Sequence, residues 1–140
     1  MAKAGILQWF NPEASLNPCL TPGRKAMTTT DQTLVVLHEE DTKFETGGLR
    51  PQFAYRDLGI SDGTNGKYRA HVIRAGSGEP PINAHRHTAI DFLMVYVLKG
   101  EVTFWYEGRG EETLKAGSVH LLPPGIEHSV VGWSDDIEMV

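Results

Sequence analysis

Cysteine is almost missing from this chain of 140 residues, with Cys19 alone present. A single thiol can form no intrachain disulfide, no cysteine-based zinc knuckle and no two-cysteine redox pair, and it gives no sign of an oxidising compartment. Long apolar runs are missing too. The longest, 92–98, has seven residues, against the roughly 20 that a membrane-spanning helix requires. The first residues lack the apolar stretch and small-residue cleavage pattern of a signal peptide. Positive charge is in deficit, with 13 Lys and Arg against 18 Asp and Glu and a net charge of -5. That sign is wrong for a protein that wraps a phosphate backbone. The expectation is a soluble, cytoplasmic protein whose partners are neither nucleic acid nor membrane.

What remains is an ordinary globular composition, 40% hydrophobic and 22% charged, in a chain long enough for one domain with its own core. Residues 1–30 read as an N-terminal arm, extended or poorly ordered. Asn11-Pro12, Asn17-Pro18, Thr21-Pro22-Gly23 and Thr28-Thr29-Thr30 punctuate it too often for a long helix or strand. Trp9 and Phe10 would anchor such an arm on a neighbouring subunit, and Met27 is a second candidate start. Residues 31–140 are expected to form the domain. No window there sustains a helical period, and short alternating or clustered apolar segments are divided by Gly and Pro. Strands are expected over 33–37, 52–57, 67–74, 92–98, 102–106, 119–122, 129–131 and 137–140. Asp62-Gly63, Asn65-Gly66 and Glu107-Gly108-Arg109-Gly110 read as turns. Many short strands at this spacing imply an all-β sandwich or barrel.

The chemistry is carried by histidine. His85 and His87 stand at i and i+2, and an extended chain points both rings to one face with Cα atoms about 6.5 Å apart. Two ring nitrogens so placed can share one metal ion at about 2.1 Å each. A third ligand is offered by His128, which follows the turn Pro123-Pro124-Gly125. Proline fixes φ there and glycine permits a positive φ, so the turn aims the histidine reproducibly.

Together these segments resemble the cupin superfamily, whose motifs read G-x5-H-x-H-x3-4-E-x6-G and G-x5-P-x-G-x2-H-x3-N. Gly117, Pro123, Gly125 and His128 match the second motif, with Gly132 where the family has Asn. His85, His87 and Gly100 match the first, while Gly78 lies one residue too far upstream. The family glutamate is missing. Asp91 is the acid nearest its place, and it shares strand parity with Leu93, Val95 and Val97. The resemblance covers roughly 65–140. It implies a small single-domain cupin, a jelly-roll β-barrel of two antiparallel sheets, with one divalent ion (Fe, Mn, Ni or Zn) on His85, His87 and His128. Asp91 stands as the possible fourth ligand, the three-histidine set being preferred.

His71, Tyr106 and His120 are the candidate catalytic residues, as a general base or substrate contacts, with core packing the alternative for each. His38, beside Glu39 and Glu40, reads as solvent-facing. The lumen shows no obvious Arg or Lys clamp unless Arg69 or Arg74 turns inward. The resemblance implies a metal-dependent small-molecule enzyme of dioxygenase or isomerase type. The alternatives are a non-catalytic barrel that binds or senses a small molecule and a structural barrel with vestigial histidines. A homodimer is expected, because a small jelly roll leaves sheet edges and aromatic residues such as Phe92 and Trp105 for a partner to cover.

Overall fold

Valine, tyrosine, phenylalanine and threonine concentrate in the alternating segments, and a pleated, half-buried surface suits those side chains. They build the strands of the computed structural model, which describes residues 32–140. In chain order these are β1 (Phe53–Asp57), β2 (His71–Ala75), β3 (Met94–Lys99), β4 (Glu101–Tyr106), β5 (Gly110–Lys115), β6 (Val119–Leu121), β7 (His128–Trp133) and β8 (Glu138–Met139). All pairings are antiparallel, in a five-stranded sheet ordered β1-β2-β8-β3-β6 and a three-stranded sheet ordered β5-β4-β7. The all-β jelly-roll expectation holds. Among the described residues no helix is long and apolar enough to cross a membrane.

The alternation decides which side chains meet between the sheets. Val97 and Met139 point inward from the larger sheet and Val102, Phe104 and Val130 from the smaller one. Val97 and Val102 are wholly buried, and Phe53 packs its ring 4.7 Å from that of Trp133. Along β3 the same parity leaves Met94, Tyr96 and Leu98 facing outward and exposed.

Three expectations need correction. The segment 33–37 is not a strand: among the described residues a single backbone hydrogen bond, from Thr33 to the carbonyl of Gly63 at 2.8 Å, ties it down, and no described strand pairs with it. Val35 and Leu37 instead lie against Gly63 and Gly59, where any Cβ would collide with them. The turn at Asp62-Gly63 is the end of one short helix, α1 (Ile60–Gly63). Charged β5 is a full strand although its Gly-Glu-Glu-Thr-Leu-Lys composition gives a weak strand signal, because it pairs with β4 along its whole length. The proposed arm at 1–30, including Trp9, Phe10 and Met27, lies outside the described residues.

Candidate metal centre

The two histidine-bearing segments are joined through their backbones. His85 and His128 form an isolated antiparallel bridge, with N–H to carbonyl distances of 2.9 and 3.0 Å. Upstream, buried Ile82 donates its N–H to Val130 at 2.8 Å, so 82–85 runs beside β7. His85 and His87 are half-buried while Arg86 between them is exposed, the alternation an extended chain imposes. Gly125 donates its N–H to the His87 carbonyl at 2.9 Å and adopts φ +87°. A side chain there would be strained even though the surrounding space is open.

Arg86, which the sequence reading passed over as the spacer of the motif, fastens this assembly from outside. Its guanidinium donates to Glu107 at 2.7 and 3.1 Å, to Glu127 at 2.6 Å and to the Gly125 carbonyl at 2.8 Å. It therefore links the His85-Arg86-His87 segment to the turn before His128. The hydrogen bond from Arg86 holds the Glu107 carboxyl below the usual carboxylate range.

The candidate ligand atoms of His85, His87 and His128 all lie within 4.8 Å of one another. Their ring centroids are separated by 4.3 to 5.2 Å. The Nδ1 atoms of His85 and His128 sit 3.1 and 3.2 Å from the carbonyls of Asn83 and Ile126. A carbonyl only accepts, so both Nδ1 atoms carry the hydrogen and each ring keeps its ligating lone pair at Nε2, which at His85 accepts from an arginine. Burial, with smaller contributions from the His85 imidazole and from Arg50, lowers the pKa of His87. Burial likewise leads the lowering at His128. Both rings are thus kept in the neutral form that ligates. Asp91 is exposed and lies outside the group.

Sequence reasoning also missed Arg50. From the loop before β1 its Nη2 donates to His85 Nε2 at 2.8 Å. Arg69 is exposed. Arg74 pairs with Glu138 at 2.8 Å and lies 4.1 Å over the Phe44 ring, so neither of the two arginines considered is the site's cation.

Of the candidate catalytic residues, Tyr106 and His120 come together. Tyr106 faces His128 in the β4–β7 register, and its hydroxyl hydrogen-bonds Nδ1 of His120. Nε2 of His120 is buried with no hydrogen-bond partner among the described residues. Tyr106 and His120 border a cavity of about 370 Å³ with Leu122, Pro123 and Ile126. His71 is elsewhere: its Nε2 stands 3.5 Å from Asp57, beside a separate cleft of about 660 Å³, and the lining of neither space includes any of the three clustered histidines. His38 is exposed, as expected.

Burial pushes Tyr106 up to about 12, and burial followed by the His128 charge pulls His120 down to about 4. The unfolded chain takes up a proton near 6.5, the ordinary histidine value, whereas folded His120 resists until about 4. Its contribution to stability is therefore complete above 6.5 and is lost as pH falls toward 4. With a discount for solvent screening, that loss is on the order of 1–2 kcal/mol. Denaturant unfolding of metal-free protein between about pH 7 and pH 5 should show a smaller pH-dependent loss for His120→Gln than for the wild type. Parallel curves would contradict it.

The sequence profile described as Cupin domain matches residues 71–140, a stretch that contains all three histidines. The chain belongs to the cupin family. Similar folds include KdgF from Halomonas sp., at 15% identity and a TM-score of 0.58, covering 76% of this chain and 89% of that one. A predicted oxalate decarboxylase from Thermotoga maritima matches at 22% identity and TM-score 0.59, over 75% of this chain and 94% of the other. Hydroxypropylphosphonic acid epoxidase from S. wedmorenis matches at 11% identity and TM-score 0.57, over 76% of this cupin. The aligned part spans 56% of that enzyme's length. At these identities the likeness is one of fold. Comparison with curated protein sequences finds no match.

Proposed function

We propose that this cupin is a metal-dependent enzyme acting on a small molecule, of dioxygenase or isomerase type, with one divalent ion on His85, His87 and His128. The observation that carries the reading is the convergence of three imidazoles, two with their Nδ1 hydrogens engaged by carbonyls and so with their lone pairs at Nε2. A three-histidine set without an anionic ligand suits Fe, Mn, Ni or Zn. Held by these three residues, such an ion would supply a Lewis acid for substrate oxygens.

The chain's own residues contribute position and a proton carrier. The carbonyls of Asn83 and Ile126 fix ring orientation, and the Arg86 clamp fixes the distance between the two ligand-bearing segments. Tyr106 holds His120 by its Nδ1, so Nε2 is the atom at which His120 gives or takes a proton. Both groups are neutral near pH 7, so a proton taken at Nε2 leaves the pair with one positive charge and a proton given leaves it with one negative charge. The names of two similar folds, an epoxidase and a predicted oxalate decarboxylase, support an enzyme over a binding module.

Element analysis of protein purified without a histidine tag and without added metal is expected to find close to one transition-metal ion per chain. Loading with Fe, Mn, Ni and Zn in turn at neutral pH then ranks them. A protein that approaches one equivalent with none of the four is not a metal cupin. We propose further that two copies pair through the outward face of β3 and β6.

A further inference from the structure

Resting on that reading of the metal site, we propose that Arg50 makes the centre a receptor for an oxyanion. The ligand would be a small molecule whose carboxylate or phosphate group lies between the Arg50 guanidinium and the ion on the three histidines. Arg74, Arg86 and Arg109 each pair with a glutamate. Among the described residues Arg50 has no carboxylate partner, and its side-chain contact is His85 Nε2. A guanidinium stays charged at any physiological pH and presents five donors in a planar fork. Here Arg50 is half-buried beside the imidazole cluster.

His85 has one lone pair to give. Its Nδ1 hydrogen is committed to the Asn83 carbonyl, so Nε2 can accept from Arg50 or ligate an ion, and not both. An ion at the three rings therefore displaces the guanidinium from His85 without moving it out of side-chain reach. Ion and guanidinium together then carry three positive charges, and no acid belongs to the ligand group. A neutral substrate leaves that charge uncompensated in a half-buried site. An oxyanion would compensate it, and the planar fork of Arg50 suits the oxygens of a carboxylate or a phosphate. The backbone places Arg50 firmly: Pro51 follows it, restricting Arg50 to an extended conformation, and Phe53 donates its N–H to the Arg50 carbonyl at 3.1 Å.

The test uses the full chain loaded with cobalt(II), titrated separately with acetate and with inorganic phosphate and followed by calorimetry and by the cobalt absorption spectrum. At least one anion should bind, and which of them binds more tightly tells a carboxylate ligand from a phosphate one. Arg50→Gln should weaken that anion tenfold or more, with Arg50→Lys, which keeps the charge and loses the fork, in between. In the absence of anion, Arg50→Gln should take up cobalt several-fold more tightly, since the donor competing for His85 is gone. If the glutamine variant fails to fold, the wild type decides: metal-free protein should bind the anion at least tenfold more weakly than cobalt-loaded protein. The proposal is overturned if the loaded wild type binds neither anion, if Arg50→Gln binds anion as tightly as the wild type, or if metal makes no difference. A wild type that takes up no cobalt removes the metal reading and this proposal with it, whereas cobalt uptake with no role for Arg50 removes this proposal alone.

Discussion

His87→Ala is expected to leave a folded protein that no longer holds stoichiometric metal. The three rings are unequal as targets. His128 is 4% exposed and packs between its neighbours, and His85 is bonded to Arg50. The His87 ring, in contrast, makes no hydrogen bond among the described residues, and the residue stands outside the hydrophobic core, so its removal orphans no buried partner. The backbone contact from Gly125 to the His87 carbonyl survives the change. What is lost is one of three ligands, and the two left offer at most half of a tetrahedral set. Because disturbing the groups around a ligand already costs about 10–100-fold in affinity, losing a ligand should exceed that. Element analysis after dialysis, and competition with a coloured chelator, reads the loss. One retained equivalent would show that the ion sits elsewhere. Asp91→Asn is the informative companion. As Asp91 is exposed and outside the ligand group, affinity should stay within a few-fold, and a drop of about a hundredfold would make Asp91 a fourth ligand.

Charge placed on the outer face of β3 and β6 should turn a dimer into a monomer. In register, Met94 lies opposite Leu121 and Tyr96 opposite Val119. With Leu98 and Phe92 these side chains are 41 to 62% exposed, on a face that ends at the sheet edge, β6. The six form one exposed apolar face, of the kind that a standard stable interface, ~800 Å² per partner, covers. A second copy can cover such a patch with the same patch about a two-fold axis, and can satisfy the open edge of β6. Light scattering should therefore give twice the 15.5 kDa chain mass for the wild type at micromolar concentration. Tyr96→Asp with Leu121→Asp should give the single mass, since neither side chain belongs to the core. A wild type already at 15 to 16 kDa would rule the pairing out.

The legible parts of the site were those coded by short spacing. His85 and His87 share a face because an extended chain repeats every second residue, and Pro123-Pro124-Gly125 announces the turn that presents His128. Parity along β3 was legible for the same reason: Val97 is buried and its neighbours Tyr96 and Leu98 are exposed. Arg50 was not legible. It reaches His85 across 35 positions of sequence from a loop, where no periodicity marks which side chain turns inward. Nor did anything local distinguish Arg86 as a clamp, since its partners Glu107 and Glu127 become neighbours only when the β4–β5 hairpin meets the turn before β7. Apolar 33–37 and charged 110–115 misled in opposite senses, because strand formation was decided by whether a partner strand ran alongside.

The position of β8 bears on how fast the molecule can fold. Glu138–Met139 is the strand between β2 and β3, pairing Met139 with Ile73 on one side and with Val97 on the other. The hairpin of β4 and β5 can zip locally, but the larger sheet stays in two pieces, β1-β2 and β3-β6, until residues far along the chain return to join them. Such contacts require loop closure before they give any stabilisation, so contact order is high and folding belongs to the slow, millisecond-to-second range of all-β domains. During that interval β2 and β3 present unpaired edges, and the apolar outer face of β3 lies beside one of them. Refolding yield should accordingly fall with protein concentration, as intermolecular strand pairing competes with the arrival of β8.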